Sequence, residues 1–156
     1  MPLAKLREYL EGHNVDYSLI PHPLTFTAQT TAQAAHISGM DLAKTVMVKV
    51  DGRMSMAVLP ASLHVDFDQL TEVLGAQEVL LAIEGDFKDI FTGCEVGAMP
   101  PFGNLYGIEV FVEESLTHDE EIAFNAGSHT ELMRMQYADF ARLVQPTVVR
   151  FAHQPT

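Results

Sequence analysis

Apolar residues recur every three to four positions at the start of the chain, where Leu3, Leu6 and Leu10 are separated by Lys5, Arg7, Glu8 and Glu11. That spacing predicts an amphipathic helix ending near Gly12. A short strand follows at 17–20. Pro21-His22-Pro23-Leu24 reads as a loop, because each proline lacks a donor and restrains the residue before it. Residues 27–37 read as a second helix, with Thr27 or Thr30 as its cap and Gly39 just past its end. The clearest local pattern is Asp51-Gly52 between the β-rich runs 44–50 and 53–59, which predicts a two-residue hairpin. Its register sets Val50 opposite Arg53, Val46 opposite Ala57 and Lys44 opposite Leu59. Alternation then places Lys44 on the face of Val46 and Val48.

Farther along, helices are expected at 66–74 and about 84–91, with Gly93 breaking the second. Strands are expected at 78–81, 106–112, 121–125 and 131–135. A last helix carries Tyr137, Phe140, Leu143 and Val144 and stops before Pro146. Helices interspersed with hairpins, rather than strict βαβ alternation, predict an α+β domain around a mixed or largely antiparallel sheet.

Composition narrows the classes. A chain of 156 residues with 47% hydrophobic content can bury a sizeable core, which excludes disorder and suits one domain over 1–156. The formal charge of −12 disfavours a generic DNA or RNA binder and a polybasic membrane binder, since phosphate affinity comes from Lys and Arg. The single Cys94 can form neither an internal disulfide nor a thiolate metal cage, which fits a reducing, cytoplasmic setting. No signal peptide is evident, and no run approaches the roughly 20 apolar residues of a membrane span.

The usual catalytic templates are absent: no nucleophile elbow, phosphate-binding loop, His-Glu-x-x-His or dinucleotide fingerprint. His13, His22, His36, His64, His118, His129 and His153 show no ligand spacing, so neither a metal nor a cofactor is expected. Cys94 has no nearby base to activate it and reads as a small apolar residue.

Three features remain. Lys44 begins a strand on a face of valines. It is either a strand-end amine reaching solvent or a partly desolvated ammonium able to bind phosphate or polarise a carbonyl. The loop Gly97-Ala98-Met99-Pro100-Pro101-Phe102-Gly103 is either a stiff connection or a way to aim the N–H groups of Gly97, Ala98 and Met99 at an oxyanion. Asn125-Ala126-Gly127-Ser128-His129-Thr130 is a small-residue turn with a histidine, either a surface turn or a substrate loop. His22 and Phe26 in the early loop are lid residues or ordinary packing.

In this order the pieces resemble the YbaK/EbsC family, also called the prolyl-tRNA synthetase-associated domain, whose free-standing members remove wrongly attached amino acids from tRNA. The likeness runs from His22-Pro23 and Phe26-Thr27 through 31–36, Gly39, Ala43-Lys44-Thr45 and 57–61. It continues through 97–103 and Phe124-Asn125-Ala126-Gly127 to 137–140. It implies a curved, barrel-like mixed sheet flanked by helices. It also implies a deacylation role for Lys44 and a site shaped by Gly97 and Pro101, with Ala98 and Met99 beside them. The chain has Thr45 where certain alanine-clearing members carry Asn, and Gly127-Ser128-His129 in the late loop, so these positions bear on which amino acid is accepted.

The implied function is trans-acting hydrolysis of a mischarged tRNA carrying alanine, serine, threonine or cysteine. An aminoacyl ester is already activated, so its hydrolysis needs a positioned water, an oxyanion stabiliser and a cation rather than a strong nucleophile. No protein general base stands out, which leaves water activation to the substrate's own ribose hydroxyl or amine. The charge limits the expected partner to the acylated tRNA end, bound weakly unless a synthetase or elongation factor adds affinity. The rival readings are a non-catalytic adaptor docking on a synthetase or another protein, and a hydrolase of small free esters.

Overall fold

The computed structural model of the chain describes residues 2–25, 28–87, 89–91 and 98–153. Phe26, Thr27, Gly93, Cys94 and Gly97, all singled out in the sequence, lie outside the described residues.

Helix α1 spans Pro2–Gly12 and buries Leu6 and Leu10, the apolar stripe expected of it. Strand β1, Tyr17–Pro21, takes in a proline at its end. Helix α2, Ala28–Ala34, is shorter than its pattern suggested. It is stopped by His36 at φ 57°, with His36 N–H donating to Gln33 O and Ile37 N–H to Ala32 O, a Schellman ending in which histidine, not Gly39, takes the left-handed position.

Strands β2, Ala43–Val50, and β3, Arg53–Pro60, form the expected hairpin, and all three register pairs hold. Asp51 and Gly52 both have positive φ, as a type I′ turn requires. The Asp51 carboxylate then accepts from the N–H groups of Gln77 and Glu78, tying the turn to the strand behind it. Strand β4 is His64–Val65 and helix α3 is Phe67–Leu74, capped by Asp66 and closed by Gly75. Strand β5 is Val79–Leu81 and helix α4 covers only Glu84–Phe87.

The expectation of a strand from residue 106 is corrected. Gly103–Tyr106 forms a 3₁₀ turn, and β6 begins at Glu109 and ends at Glu113. Gly103 permits this turn, because a Cβ there would sit 2.6 Å from the Ile108 carbonyl oxygen. After a second 3₁₀ turn, Glu114–His118, come β7, Glu121–Asn125, and β8, Glu131–Gln136. Helix α5, Tyr137–Val144, and two short strands, β9, Thr147–Val149, and β10, Ala152–His153, finish the described chain.

The architecture is α+β with a mixed sheet. Five strands run in the order β5-β2-β3-β6-β9, antiparallel through β3 and parallel from β3 to β6 to β9. An antiparallel three-stranded sheet, β1-β8-β7, meets it through one parallel bridge between Leu42 and Ala123. Period-two alternation sends side chains of the large sheet into two cores. Ala43, Met47, Met56 and Val58 join the main core with Phe102, Phe124, Met133 and Phe140, while Val48, Ala57, Leu59 and Phe111 pack with Leu70 and Phe151 on the other side. A smaller third cluster, Ala32, Leu42, Ala61, Ala123 and Leu132, fills the seam between the sheets beneath α2.

Candidate active site

Lys44 stands where two apolar clusters meet. On its face of β2, Leu42 belongs to the seam cluster and Val48 to the cluster under α3, so the lysine interrupts a face that is otherwise apolar. Its side chain is half-buried and Nζ donates to the Ala61 carbonyl at 3.3 Å. Burial lowers its pKa, and no carboxylate contributes to that shift. Lys49 is different: its amine pairs with Asp86 at 3.0 Å. An ammonium taken partly out of water and holding, among the described residues, a single neutral acceptor gains from an added anion or carbonyl.

Three segments that are far apart in sequence are stitched together at one end of the small sheet. The His22 N–H donates to Thr130 O at 2.9 Å, and the Thr25 N–H to His129 O at 3.3 Å. Gly127, at φ 98°, donates to Ala98 O at 2.9 Å. The left-handed backbone is what lets this turn reach the proline-rich loop. His22 and His129 are both buried, Ser128 is half-buried, and the Ser128 hydroxyl lies 3.2 Å from that of Thr130. A buried Thr31 on α2 holds Thr25 through a 2.6 Å hydroxyl contact.

The proline-rich loop is packed rather than open. Ala98, Met99, Pro100, Pro101 and Phe102 are all buried, with Met99 and Phe102 in the main core, and the Phe102 N–H closes a tight turn onto Pro100 O at 2.8 Å. Side chains so committed leave only the backbone of this loop to meet a ligand. The Met99 N–H makes no backbone hydrogen bond among the described residues. Thr45 alternates with Lys44, so it leaves β2 on the opposite face, shared with Ala43 and Met47. Gly97 and Phe26 lie outside the described residues.

Asn125 opens the small-residue turn noted in the sequence, where it had no role of its own. The Leu42–Ala123 bridge is parallel, so Lys44 and Asn125, each two residues farther on, leave neighbouring strands on the same face. Asn125 is half-buried and its Oδ1 is buried with no partner among the described residues. The only hint in the sequence is an amide closing an apolar strand just before a glycine turn.

The same seam carries an acidic pair. Asp41 accepts the Ala123 N–H through its carbonyl, and Asp119 opens the turn into β7. Burial, reinforced by the neighbouring Asp41 carboxylate, raises the Asp119 pKa to about 6. Both line a cleft of about 440 Å³ with Ile37, His118 and Arg134. Among the described residues no three acidic, histidine or cysteine side chains converge at metal-binding distance, and no helix is long and apolar enough to cross a membrane.

Comparison with known proteins places these features in a family. The model of the aminoacyl-tRNA editing domain matches residues 22–143. The chain is 27% identical over 152 residues to the multifunctional Ser/Thr-tRNA deacylase ProXp-y of Escherichia coli strain K12, covering 94% of this chain and 90% of that protein. Its fold is shared with a solved candidate trans-editing enzyme for prolyl-tRNA synthetase, with TM-score 0.81 and 19% identity over 97% of each chain. A crystal structure of a hypothetical protein matches with TM-score 0.84 and 20% identity, over 96% of this chain and 99% of the other.

Proposed function

The chain belongs to the aminoacyl-tRNA editing domain family, and from that premise we propose that its site hydrolyses mischarged tRNA around Lys44. The enzyme is an aminoacyl-tRNA deacylase, a carboxylic-ester hydrolase acting in trans on tRNA that carries a small amino acid. The observation that carries the assignment of Lys44 is its half-buried ammonium, held by one carbonyl and by no carboxylate among the described residues.

In this reading Lys44 faces the ester carbonyl or the terminal phosphate. Water adds to the carbonyl carbon, the carbonyl oxygen becomes an oxyanion, and the C–O bond to the ribose breaks with a proton delivered to the leaving ribose oxygen. Free amino acid and uncharged tRNA result. The oxyanion is assigned to the backbone N–H groups of Ala98 and Met99, with Gly97 added by the family resemblance, and Pro101 to stiffening the loop that carries them. His22, Gly127, Ser128 and His129 are assigned to the aminoacyl side, Phe26 joins them by the family resemblance alone, and Thr45 acts from the far face of β2 by shaping the strand. The ribose hydroxyl vicinal to the ester, or the substrate amine, orients the water.

Serine and threonine are the favoured amino acids, as for the Escherichia coli relative. A difference of one methylene is worth only about 1–3 kcal/mol, so serine and threonine are not sharply separated, and alanine and cysteine, which are no larger than threonine, are cleared more slowly. The net charge of −12 suits capture of the acylated end alone, with an aminoacyl-tRNA synthetase or elongation factor adding affinity in the cytoplasm. One domain over 1–156 contains all of this. The test is hydrolysis of Ala-, Ser-, Thr-, Cys- and Pro-tRNA by the purified protein, with uncharged tRNA as competitor. Release of serine and threonine ahead of proline supports the proposal, and no release from any substrate overturns it.

A further inference from the structure

Three buried side-chain polar atoms lack a partner among the described residues: Asp119 Oδ2, His22 Nε2 and Asn125 Oδ1. The first belongs to the acidic seam. The other two rise from neighbouring rows of the small sheet, on the face that carries Lys44. Ile20, Leu132 and Asn125 form one row across β1, β8 and β7. The His22 N–H to Thr130 O bond continues that ladder by one more pair, so alternation brings His22 onto the face of Ile20.

Their chemistry is the same. His22 Nδ1 lies 2.8 Å from the Pro23 carbonyl, an acceptor, so Nδ1 donates there, and in the tautomer whose one proton sits on Nδ1 the Nε2 atom is a bare acceptor. Asn125 Oδ1 is a carbonyl oxygen. His22 is only 8% exposed, and buried acceptors in folded proteins are nearly always satisfied, so two on one face call for a donor. Strands lie about 4.8 Å apart, which puts the two backbones about 10 Å apart with one strand between them. A hydroxyl has one proton and satisfies one acceptor, whereas an ammonium has three and a positive charge.

We propose that His22 and Asn125 form the receptor for the α-ammonium of the aminoacyl ester, so that the enzyme cleaves free aminoacyl-tRNA and rejects esters whose amine is acylated, peptidyl esters included. Acylation removes the charge and leaves one N–H at most, which strands an acceptor. Lys44 is then left to the carbonyl oxygen or phosphate, and the water to the ribose hydroxyl, because an ammonium has no lone pair to accept its proton. This inference rests on the deacylase reading and names the group by which that site selects its substrate.

The test compares Ser-tRNA with N-acetyl-Ser-tRNA in the wild type, Asn125→Leu and Asn125→Asp. Both rates are read in the same preparation, so partial unfolding lowers both and leaves their ratio unchanged. The wild type is expected to prefer the free amine by about 10- to 100-fold, the range of one hydrogen bond to a charged group. Asn125→Leu is expected to bring the ratio towards one, and Asn125→Asp to keep it. Equal hydrolysis of the two esters by the wild type, or an undiminished preference in Asn125→Leu, overturns the receptor while leaving the deacylase intact. Hydrolysis of neither ester overturns the deacylase reading and the receptor with it.

Discussion

Replacing Asp119 by asparagine is expected to stabilise the protein at neutral pH and to change little in acid. The Asp119 carboxyl lies in the seam against Asp41, and burial followed by that neighbouring charge raises its pKa from 3.8 to about 6. Below about pH 4 the side chain is protonated in both folded and unfolded states and contributes no difference. Between about pH 4 and 6 the folded state holds the proton that the unfolded state has released, so stability falls as pH rises. Above about pH 6 the folded protein carries a destabilised carboxylate.

For a fully buried group a rise of this size corresponds to about 3 kcal/mol. Asp119 is only half-buried, and solvent screening reduces this to about 1 kcal/mol. Asparagine keeps the shape and removes the charge. The variant should therefore melt about 2–4 °C above the wild type at pH 7.5 and within a degree of it at pH 3.5. Paired thermal melts at the two pH values read this directly. An equal difference at both, or a variant less stable at pH 7.5, would refute the reasoning.

Other outcomes follow from the packing and the charge. Gly103→Ala sets a methyl 2.6 Å from the Ile108 carbonyl oxygen and 2.8 Å from Val110 Cγ2, and should cost about 1–3 kcal/mol in a urea melt. Titration of labelled, uncharged tRNA by fluorescence anisotropy should give only non-specific affinity, about 10⁻⁴–10⁻⁶ M at physiological salt, since the chain has 9 Lys and Arg against 21 Asp and Glu. Tight binding there would contradict the view that the protein grips the acylated end alone.

Local chemistry was legible where it was self-contained. Asp51-Gly52 specifies a type I′ turn, and alternation on either side then fixes the hairpin register down to Lys44 opposite Leu59. The boundaries of β7 and α5 were readable for the same reason. What escaped depends on distant partners. Strand β9 is three residues that acquire meaning only by pairing parallel with β6. The run into β6 looked like continuous strand because nothing local reveals how closely Gly103 approaches Ile108. His36 ends α2 in a conformation that sequence habit assigns to the nearby glycine.

Much of the site was legible in the same uneven way. A lysine among valines is conspicuous in one dimension, and the turn at 125–130 announces itself by its small residues. The part Asn125 plays in that turn is not legible, because an amide ending a strand is ordinary until its oxygen is found buried without a donor among the described residues. The loop at 98–101 was read either as a stiff connection or as a source of backbone N–H donors, and its buried side chains leave any part in catalysis to that backbone.

The most direct measurement is the single-turnover rate of Ser-tRNA hydrolysis by Lys44→Met, which keeps an apolar stem of similar length in the seam and removes the ammonium. With the melting temperature unchanged, the rate should fall about 10²- to 10³-fold, the cost of losing one preorganised stabiliser of developing charge. A folded Lys44→Met protein that hydrolyses Ser-tRNA at the wild-type rate would contradict the account.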